Sequence, residues 1–359
     1  MKKRNKIIFL IIGIMIFIYS VMFIFKKKEN YSEFENRYLT KFSLNNVESY
    51  LLDNAPFRNE LLKLKNKIEL LCGKTLVNGV YVANDYYLLP KKVEIKKSSL
   101  VIETINDFAK NIQTDVMIVP DSIYINSDKL KRSINTNEEN DINYLYSSLK
   151  YSNNINVIDT LKNHNKKTNM YYKTDHHWTS FGAYYAYKKY MESKNIIPND
   201  ESYYNIVKVS NSFKGTSQTK VLSYDKSDDI YLFLKNENLT INYVNENKIT
   251  NSLYNYDYLD KKDKYSIFLD NNHALIEIEN FENENSILVI KNSYANSFIP
   301  FLTSHYKNIY VIDLRYYNKS VSDFVKSKNI DNVLILYNLN NLYDDMSILC
   351  ILYTSEAAD

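Results

Sequence analysis

Ser286-Ile287-Leu288-Val289-Ile290-Lys291-Asn292-Ser293 is an unbroken apolar run that ends in a tight polar crossing. A strand with no polar face belongs to a parallel sheet covered on both sides, because helical crossovers shield each face from water. The same kind of run recurs at Val116-Met117-Ile118-Val119, stopped by Pro120, and at Ile155-Asn156-Val157-Ile158-Asp159. It returns at Ile309-Tyr310-Val311-Ile312-Asp313 and Asn332-Val333-Leu334-Ile335-Leu336-Tyr337. Helices are predicted near Leu100 to Asn111, Asn140 to Tyr151, Phe298 to His305 and Val321 to Lys328. This alternation predicts a three-layer α/β/α sandwich with about five parallel strands.

Working outward, Glu201 to Glu279 reads differently, being dense in Tyr, Asn and Thr. Tyr231-Leu232-Phe233-Leu234, Leu239-Thr240-Ile241-Asn242-Tyr243 and Ala274-Leu275-Ile276-Glu277-Ile278 predict an antiparallel, β-rich insertion at about 201–279. Val77–Val82 and Tyr86–Leu89 bracket Ala83-Asn84-Asp85 as a short hairpin. Earlier still, Pro56 precedes Leu61, Leu62, Leu64, Ile68 and Leu71 at roughly helical spacing, which reads as a helix start. No internal repeat or low-complexity linker divides the chain. The expected division is therefore a tip and anchor over 1–28, a link and docking helix over 29–75, and one α/β domain over 76–359.

The anchor is expected from Ile7 to Phe25, which is apolar apart from Gly13, Tyr19 and Ser20 and long enough for a bilayer core. Lys2, Lys3, Arg4 and Lys6 precede it, and Lys26 to Lys28 follow. A cleaved signal peptide shares this pattern, but no small-x-small cleavage site follows Phe25, which favours an uncleaved single-pass anchor in the cell membrane. Four basic side chains plus the amino terminus against three tip the orientation toward an extracytoplasmic body. Residues 1–30 hold seven of the 45 basic residues and one of the 42 acidic ones, leaving 38 against 41. That balance argues against a nucleic-acid partner. Cys72 and Cys350 are far apart and fit either one disulfide or two buried thiols, and their spacing suggests no metal.

Open parallel sheets bind ligands beyond the carboxyl ends of their strands. The residues to inspect are therefore Pro120-Asp121-Ser122, Asp159, Asn292-Ser293-Tyr294, Asp313-Leu314-Arg315 and Tyr337-Asn338. Ser293 is the leading nucleophile candidate, because the turn exposes a hydroxyl above the sheet and offers backbone N–H groups to a developing oxyanion. A serine after a strand is ordinarily a helix cap. Ser122 is the second candidate. Asn292, Tyr294, Arg315, Tyr337 and Asn338 are the candidate oxyanion or substrate-binding groups, although an Arg two residues after Asp313 also suits a structural ion pair.

A second stretch, Lys173-Thr174-Asp175-His176-His177-Trp178-Thr179-Ser180-Phe181-Gly182, places two of five histidines beside a carboxylate and the sole tryptophan. Imidazole moves protons near neutral pH, and Asp175 can hold the His177 ring in one tautomer. Thr174 to Thr179 with Gly182-Ala183-Tyr184 resembles the signature of the DHHW protein family. That family is similar to the alginate O-acetylation proteins of the SGNH-hydrolase-like superfamily, in which an Asp-x-His-Trp motif lies upstream of a nucleophilic serine. Glu35-Asn36-Arg37-Tyr38-Leu39, Asp53 to Arg58 and Phe213-Lys214-Gly215-Thr216 resemble further segments of the family. Asn292-Ser293-Tyr294 resembles its nucleophile segment, though the Gly-Asp of some members is missing.

The resemblance implies an SGNH-like fold and a triad in the permuted order Asp175, His177, Ser293, with His176 in a variable position. Triads are defined by roles, so this order is no obstacle. Trp178 is expected to pack under the triad loop, with stacking on a sugar ring as the alternative. The implied activity is an extracytoplasmic O-acetyltransferase acting on cell-surface or secreted polysaccharide through an acyl-serine, with no cofactor or metal. Acetyl-CoA is unavailable outside the membrane, so a membrane-bound O-acyltransferase is the implied acetyl relay. A carbohydrate O-acetyl esterase would use the same intermediate. Asp175-His176-His177 also superficially matches the DHH phosphoesterases, but Asp159 and Asp313 do not complete their metal cluster. A non-catalytic surface binding protein is the third class.

Overall fold

The computed structural model describes residues 2–96, 98–281 and 283–352, so the last seven residues of the expected 76–359 domain lie outside it. The chain divides into two compact units, residues 1–78 with 218–225, and residues 79–217 with 226–359.

The first unit begins with α1 (Lys2–Phe25), whose segment Arg4–Phe25 is exposed, apolar and long enough to cross a membrane by length and composition. An anchor and a signal sequence both fit such a helix. After it come α2 (Val47–Asp53) and α3 (Arg58–Leu71). α3 begins two residues after Pro56, as the apolar spacing predicted. The two family-like segments bind each other here: the Asp53 carboxylate accepts from Arg37 Nη1 at 3.0 Å and from Thr40 N and Oγ1 at 2.9 Å each. Arg58 Nη2 lies 3.2 Å from Asp53 Oδ1, and its Nη1 donates to Glu35. Cys72 is exposed and Cys350 half-buried, and neither is bonded.

The second unit is built on ten principal strands. They are β1 (Thr114–Val119), β2 (Ser152–Asn154), β3 (Asn205–Phe213), β4 (Asp228–Leu234), β5 (Leu239–Tyr243), β6 (Lys248–Thr250), β7 (Leu275–Asn280), β8 (Ser286–Lys291), β9 (Asn308–Ile312) and β10 (Val333–Asn338). A short antiparallel pair, Val80–Val82 with Leu88–Pro90, precedes them. Eight strands form one sheet in the order β6-β5-β7-β9-β8-β10-β1-β2. The five from β9 to β2 are mutually parallel. β7 runs antiparallel to β9 and to β5, and β5 antiparallel to β6.

The expected insertion is thus divided. β5, β6 and β7 extend the central sheet, because β7 covers the open edge of β9, while β3 and β4 form a separate ribbon. Two boundaries also move. The strand expected at Ile155–Asp159 lies earlier, at Ser152–Asn154, and the helix α6 (Ile158–Asn165) takes its place. The helix expected from Phe298 is two short turns, Ser293–Ser297 and Ile299–Leu302.

Successive side chains of a strand point to opposite faces, and here both faces are apolar. Met117, Val119, Ile287, Val289, Leu334 and Leu336 join one core with α7 (Ser180–Ser193). Val116, Ile118, Leu288, Ile290, Val333 and Ile335 join the other with α4 (Ser98–Ala109), α5 (Glu139–Ser148) and α8 (Val321–Ser327). From β8 the chain forms β9 on one side and returns to form β10 on the other. Open α/β sheets bind ligands in the crevice beyond such a switch point, and Ser293 lies two residues past the end of β8 there.

Candidate active site

β8, buried from Ile287 to Lys291, delivers Asn292 to the sheet edge, where the Asn292 side chain caps the Ser293–Ser297 turn by accepting from Tyr294 N at 3.1 Å. The cap fixes the turn one residue either side of Ser293. The facing loop is closed by an isolated antiparallel bridge between Tyr171 and Trp178, and Tyr172 N donates to His177 O at 3.2 Å. Thr179 then caps α7 through its side chain, which accepts from Gly182 N. Trp178 is fully buried, and its Nε1 donates to Tyr294 O at 2.8 Å, joining the two loops. It packs on Phe298 and has no face open to a sugar.

Between these loops His177 Nε2 lies 2.8 Å from Ser293 Oγ, and His177 Nδ1 lies 2.5 Å from Asp175 Oδ1. This is the spacing of a nucleophile, a base and a carboxylate that orients the base. Asp175 Oδ1 also accepts from His177 N at 2.9 Å, and Oδ2 accepts from Thr216 N at 2.7 Å and Thr216 Oγ1 at 3.0 Å. Burial would raise the Asp175 pKa, but the charges of His176 and His177 and the hydrogen bonds from His177 outweigh it and hold the carboxyl far below its usual range. Asp175 is therefore a fixed anion beneath the imidazole.

The other sequence candidates fall into two groups. Asn292 and Asn338 meet at the crevice, Asn292 Nδ2 donating to Asn338 Oδ1. Arg315 and Tyr337 are engaged elsewhere. Arg315 Nε and Nη2 bond Asp313 at 2.8 and 2.6 Å, and the Tyr337 hydroxyl meets Ser347 at 3.2 Å within the opposite core. The ion-pair alternative for Arg315 describes its geometry, with Lys291 Nζ also 3.2 Å from Asp313. Tyr294 is buried and donates its hydroxyl to His176 O, so its side chain braces the loop. Ser122 is buried in the turn after β1, where its carbonyl accepts from Asn126 Nδ2, and the ring nitrogen of His177 that faces a serine meets Ser293.

Asp175, His176 and His177 bring donor atoms within 4.8 Å of one another, the one such group of three among the described residues. Both His177 nitrogens already have partners in Asp175 and Ser293, which suits proton transfer better than ligation. Asp159 is exposed on its helix and Asp313 is bound to Lys291 and Arg315, so neither adds a ligand to the group.

Three supports had no role in the sequence reading. Thr216 holds Asp175, and only its place beside Gly215 hinted at this. A Cβ on Gly215 would run into Asp175, so glycine lets that loop close over the carboxylate. Tyr265 stacks on the His177 ring at 3.9 Å and 9°, and its hydroxyl donates to Ser293 O at 3.2 Å. One tyrosine among 34 carries no local signal. Asp228, at the start of β4, accepts from Lys173 N at 2.8 Å, Thr174 N at 2.7 Å and Thr174 Oγ1 at 2.6 Å, anchoring the start of the motif.

A family model described as DHHW protein matches residues 64–312. Among solved structures, a DHHW family protein from Eubacterium siraeum is similar at a TM-score of 0.66 and 21% identity, covering 77% of this chain and 97% of that one. Bacillus cereus PatB1 with a sulfonyl adduct is similar at 0.63 and 24%, covering 75% and 97%. The O-acetyltransferase domain of Pseudomonas putida AlgJ is more distant, at 0.44 and 14%, covering 78% and 95%. No curated protein sequence matches the chain.

Proposed function

The chain belongs to the DHHW protein family, and from that premise we propose that it is a membrane-anchored, extracytoplasmic O-acetyltransferase of polysaccharide, working through an acyl-serine on an SGNH-like fold. The observation that carries this reading is the unbroken relay from Asp175 through His177 to Ser293 at 2.5 and 2.8 Å. Its place at the switch point of a mostly parallel sheet supports it further.

In the first half-reaction, Ser293 Oγ attacks the donor's acetyl carbonyl carbon while His177 Nε2 takes the hydroxyl proton. Asp175 stabilises the imidazolium without taking the proton itself. The carbonyl electron pair moves onto oxygen, where the Ser293 N–H and the Asn338 amide are the proposed oxyanion donors. As the electron pair returns, the bond to the leaving group breaks and His177 gives that group its proton. In the second half-reaction a sugar hydroxyl loses its proton to His177 and attacks the acyl carbon; as the bond to Ser293 Oγ breaks, His177 returns that proton to Oγ, releasing the acetylated sugar and the free serine. Water in place of the sugar makes the same site an esterase.

α1 supports a site held next to the membrane, where a membrane-bound O-acyltransferase can hand on the acetyl group. The sulfonyl adduct carried by PatB1 suggests the probe. An aryl sulfonyl fluoride should modify Ser293 covalently, and an activated acetyl ester should leave an acetyl group there, each located by peptide mass spectrometry. Partition of that acetyl group between water and an added oligosaccharide separates transferase from esterase. If Ser293 takes neither label, the acyl-serine reading is wrong.

A further inference from the structure

Behind the crevice lies a buried polar chain that the triad does not use. Asp121 follows β1, Asn338 ends β10 and Asn292 follows β8, so the chain ties together the ends of three adjacent parallel strands. Asp121 Oδ1 accepts from Asn338 Nδ2, Asn338 Oδ1 accepts from Asn292 Nδ2, and Asn292 Oδ1 accepts from Tyr294 N. Asp121 Oδ2 accepts from Asn340 N at 2.9 Å. Each amide is oriented by the next, so the Asp121 carboxylate sets the direction in which Asn338 and Asn292 present their groups to the Ser293 turn.

Glu138 lies against Asp121, fully buried just before α5, and its Oε2 accepts the Asp121 N–H at 2.7 Å. Its Oε1 is buried and has no hydrogen-bond partner among the described residues. Two adjacent buried carboxyl groups cannot both ionise cheaply, so one proton is retained between them. Asp121 already uses both oxygens as acceptors of N–H groups, whereas Glu138 has one bare oxygen. The proton therefore falls to Glu138. We propose that Asp121 and Glu138 share one proton, carried by Glu138, and that Asp121, the lone carboxylate of the pair, is a positioning residue that aims Asn338 and Asn292 at the nucleophile turn.

The surrounding charges are consistent with this assignment. Burial, followed by the charge of Asp121, pushes the Glu138 carboxyl well up. Burial also pushes the Asp121 carboxyl up, to about 7, while the donors on Asn338 and Asn340 N and then the charge of Lys92 favour its anion; Lys92 is itself bonded to Asp141, whose charge adds to the pressure on Glu138. Tyr171 and Tyr294 face Asp121 and stay neutral, because burial raises their hydroxyls far above the usual range. Loss of the shared proton at alkaline pH would set two anions side by side and loosen the Asn338 clamp.

The proposal rests on the acyl-serine reading for its effect on rate, but the proton can be tested without it. Infrared difference spectra of the full chain at neutral pH, wild type minus Glu138→Gln, should show one protonated-carboxyl stretch lost in the variant; its absence overturns the shared proton. The rate of Ser293 sulfonylation by an aryl sulfonyl fluoride should fall on the alkaline side in the wild type, and Glu138→Gln should remove that limb. Asp121→Asn should slow sulfonylation roughly 10–10²-fold, the cost of a slightly misplaced reacting group. An unchanged rate in folded Asp121→Asn overturns the positioning role. If that variant does not fold, the infrared band and the Glu138→Gln profile decide. A wild type that is never sulfonylated fails the acyl-serine reading, and the infrared result still judges the proton.

Discussion

At the scale of single residues, Ser293, His177 and Asp175 are joined in one relay at 2.5 and 2.8 Å, so under the proposed acyl-serine chemistry their losses should not add. Ser293→Ala should abolish the covalent adduct and lower turnover roughly 10³–10⁶-fold, measured with an activated acetyl ester. His177→Ala should match it, and Asp175→Ala should cost about 10⁴-fold because the imidazole loses its tautomer and counter-charge. His176→Ala should do less, since the His176 ring lies outside the 2.5 and 2.8 Å relay. A larger loss at His176 than at His177 would reverse the assigned roles. Gly215→Ala is a sharper test of the support, because the added methyl must displace Asp175. Activity should fall about 10²-fold with sulfonylation slowed in parallel.

At the scale of elements, the charged segments around Arg37 and Arg58 close the first unit on itself. Asp53 receives both arginines as well as two donors from Thr40, and Glu35 lies against Arg58. Arg58→Ala leaves Glu35 only Arg37 Nη2 at 3.4 Å and removes one of Asp53's cationic partners, a loss of about 1–3 kcal/mol. Limited proteolysis should then cut between residues 30 and 58 faster than in the wild type, while Ser293 sulfonylation stays normal. Equal cutting rates would mean that the clasp adds nothing. The neighbouring α3 shows how little periodicity says about partners, since Leu61, Leu64, Ile68 and Leu71 have helical spacing yet are exposed.

At the scale of the whole molecule, burial and then the charge of Lys235 push the His305 imidazole down to about 4. Its Nε2 lies 2.6 Å from the Tyr187 hydroxyl, which donates to the neutral ring. The unfolded chain binds a proton at His305 near pH 6.5, whereas the folded chain resists it until about 4. The unfolded state therefore holds more protons in that window, and folded stability drops as pH falls from about 6.5 to 4. The urea midpoint should decline across this range more steeply in the wild type than in His305→Gln; parallel declines would assign the loss to other groups. For the anchor, the protein should sediment with membranes and retain α1, and protease added to intact cells should digest the body. A soluble form beginning after Lys28 would make α1 a signal sequence.

The sequence by itself determined the parallel core and the edge on which a site would lie. A strand buried on both faces must be apolar throughout, and four short runs met that condition wherever they fell in the chain; the fifth parallel strand, Ser152–Asn154 at the sheet edge, is polar and only half-buried, so the apolar run at Ile155–Asp159 misplaced it. It also held the local part of the site, because Asp175 and His177 are two residues apart and Ser293 sits directly after the strand that presents it. Only the tertiary structure decided which distant groups complete that arrangement. Tyr265 under the imidazole, Thr216 against Asp175, and the Asp121–Glu138 pair behind the nucleophile turn are brought in by long-range packing that leaves no local pattern. Strand partners were equally hidden: alternation at Leu239–Tyr243 and Leu275–Asn280 marks two strands, but pairing with β9 depends on which sheet edge is left open. The same holds for Arg315, since one side chain after a strand can reach a ligand or an anion, and the choice fell to Asp313 because it lies buried within 2.6 Å.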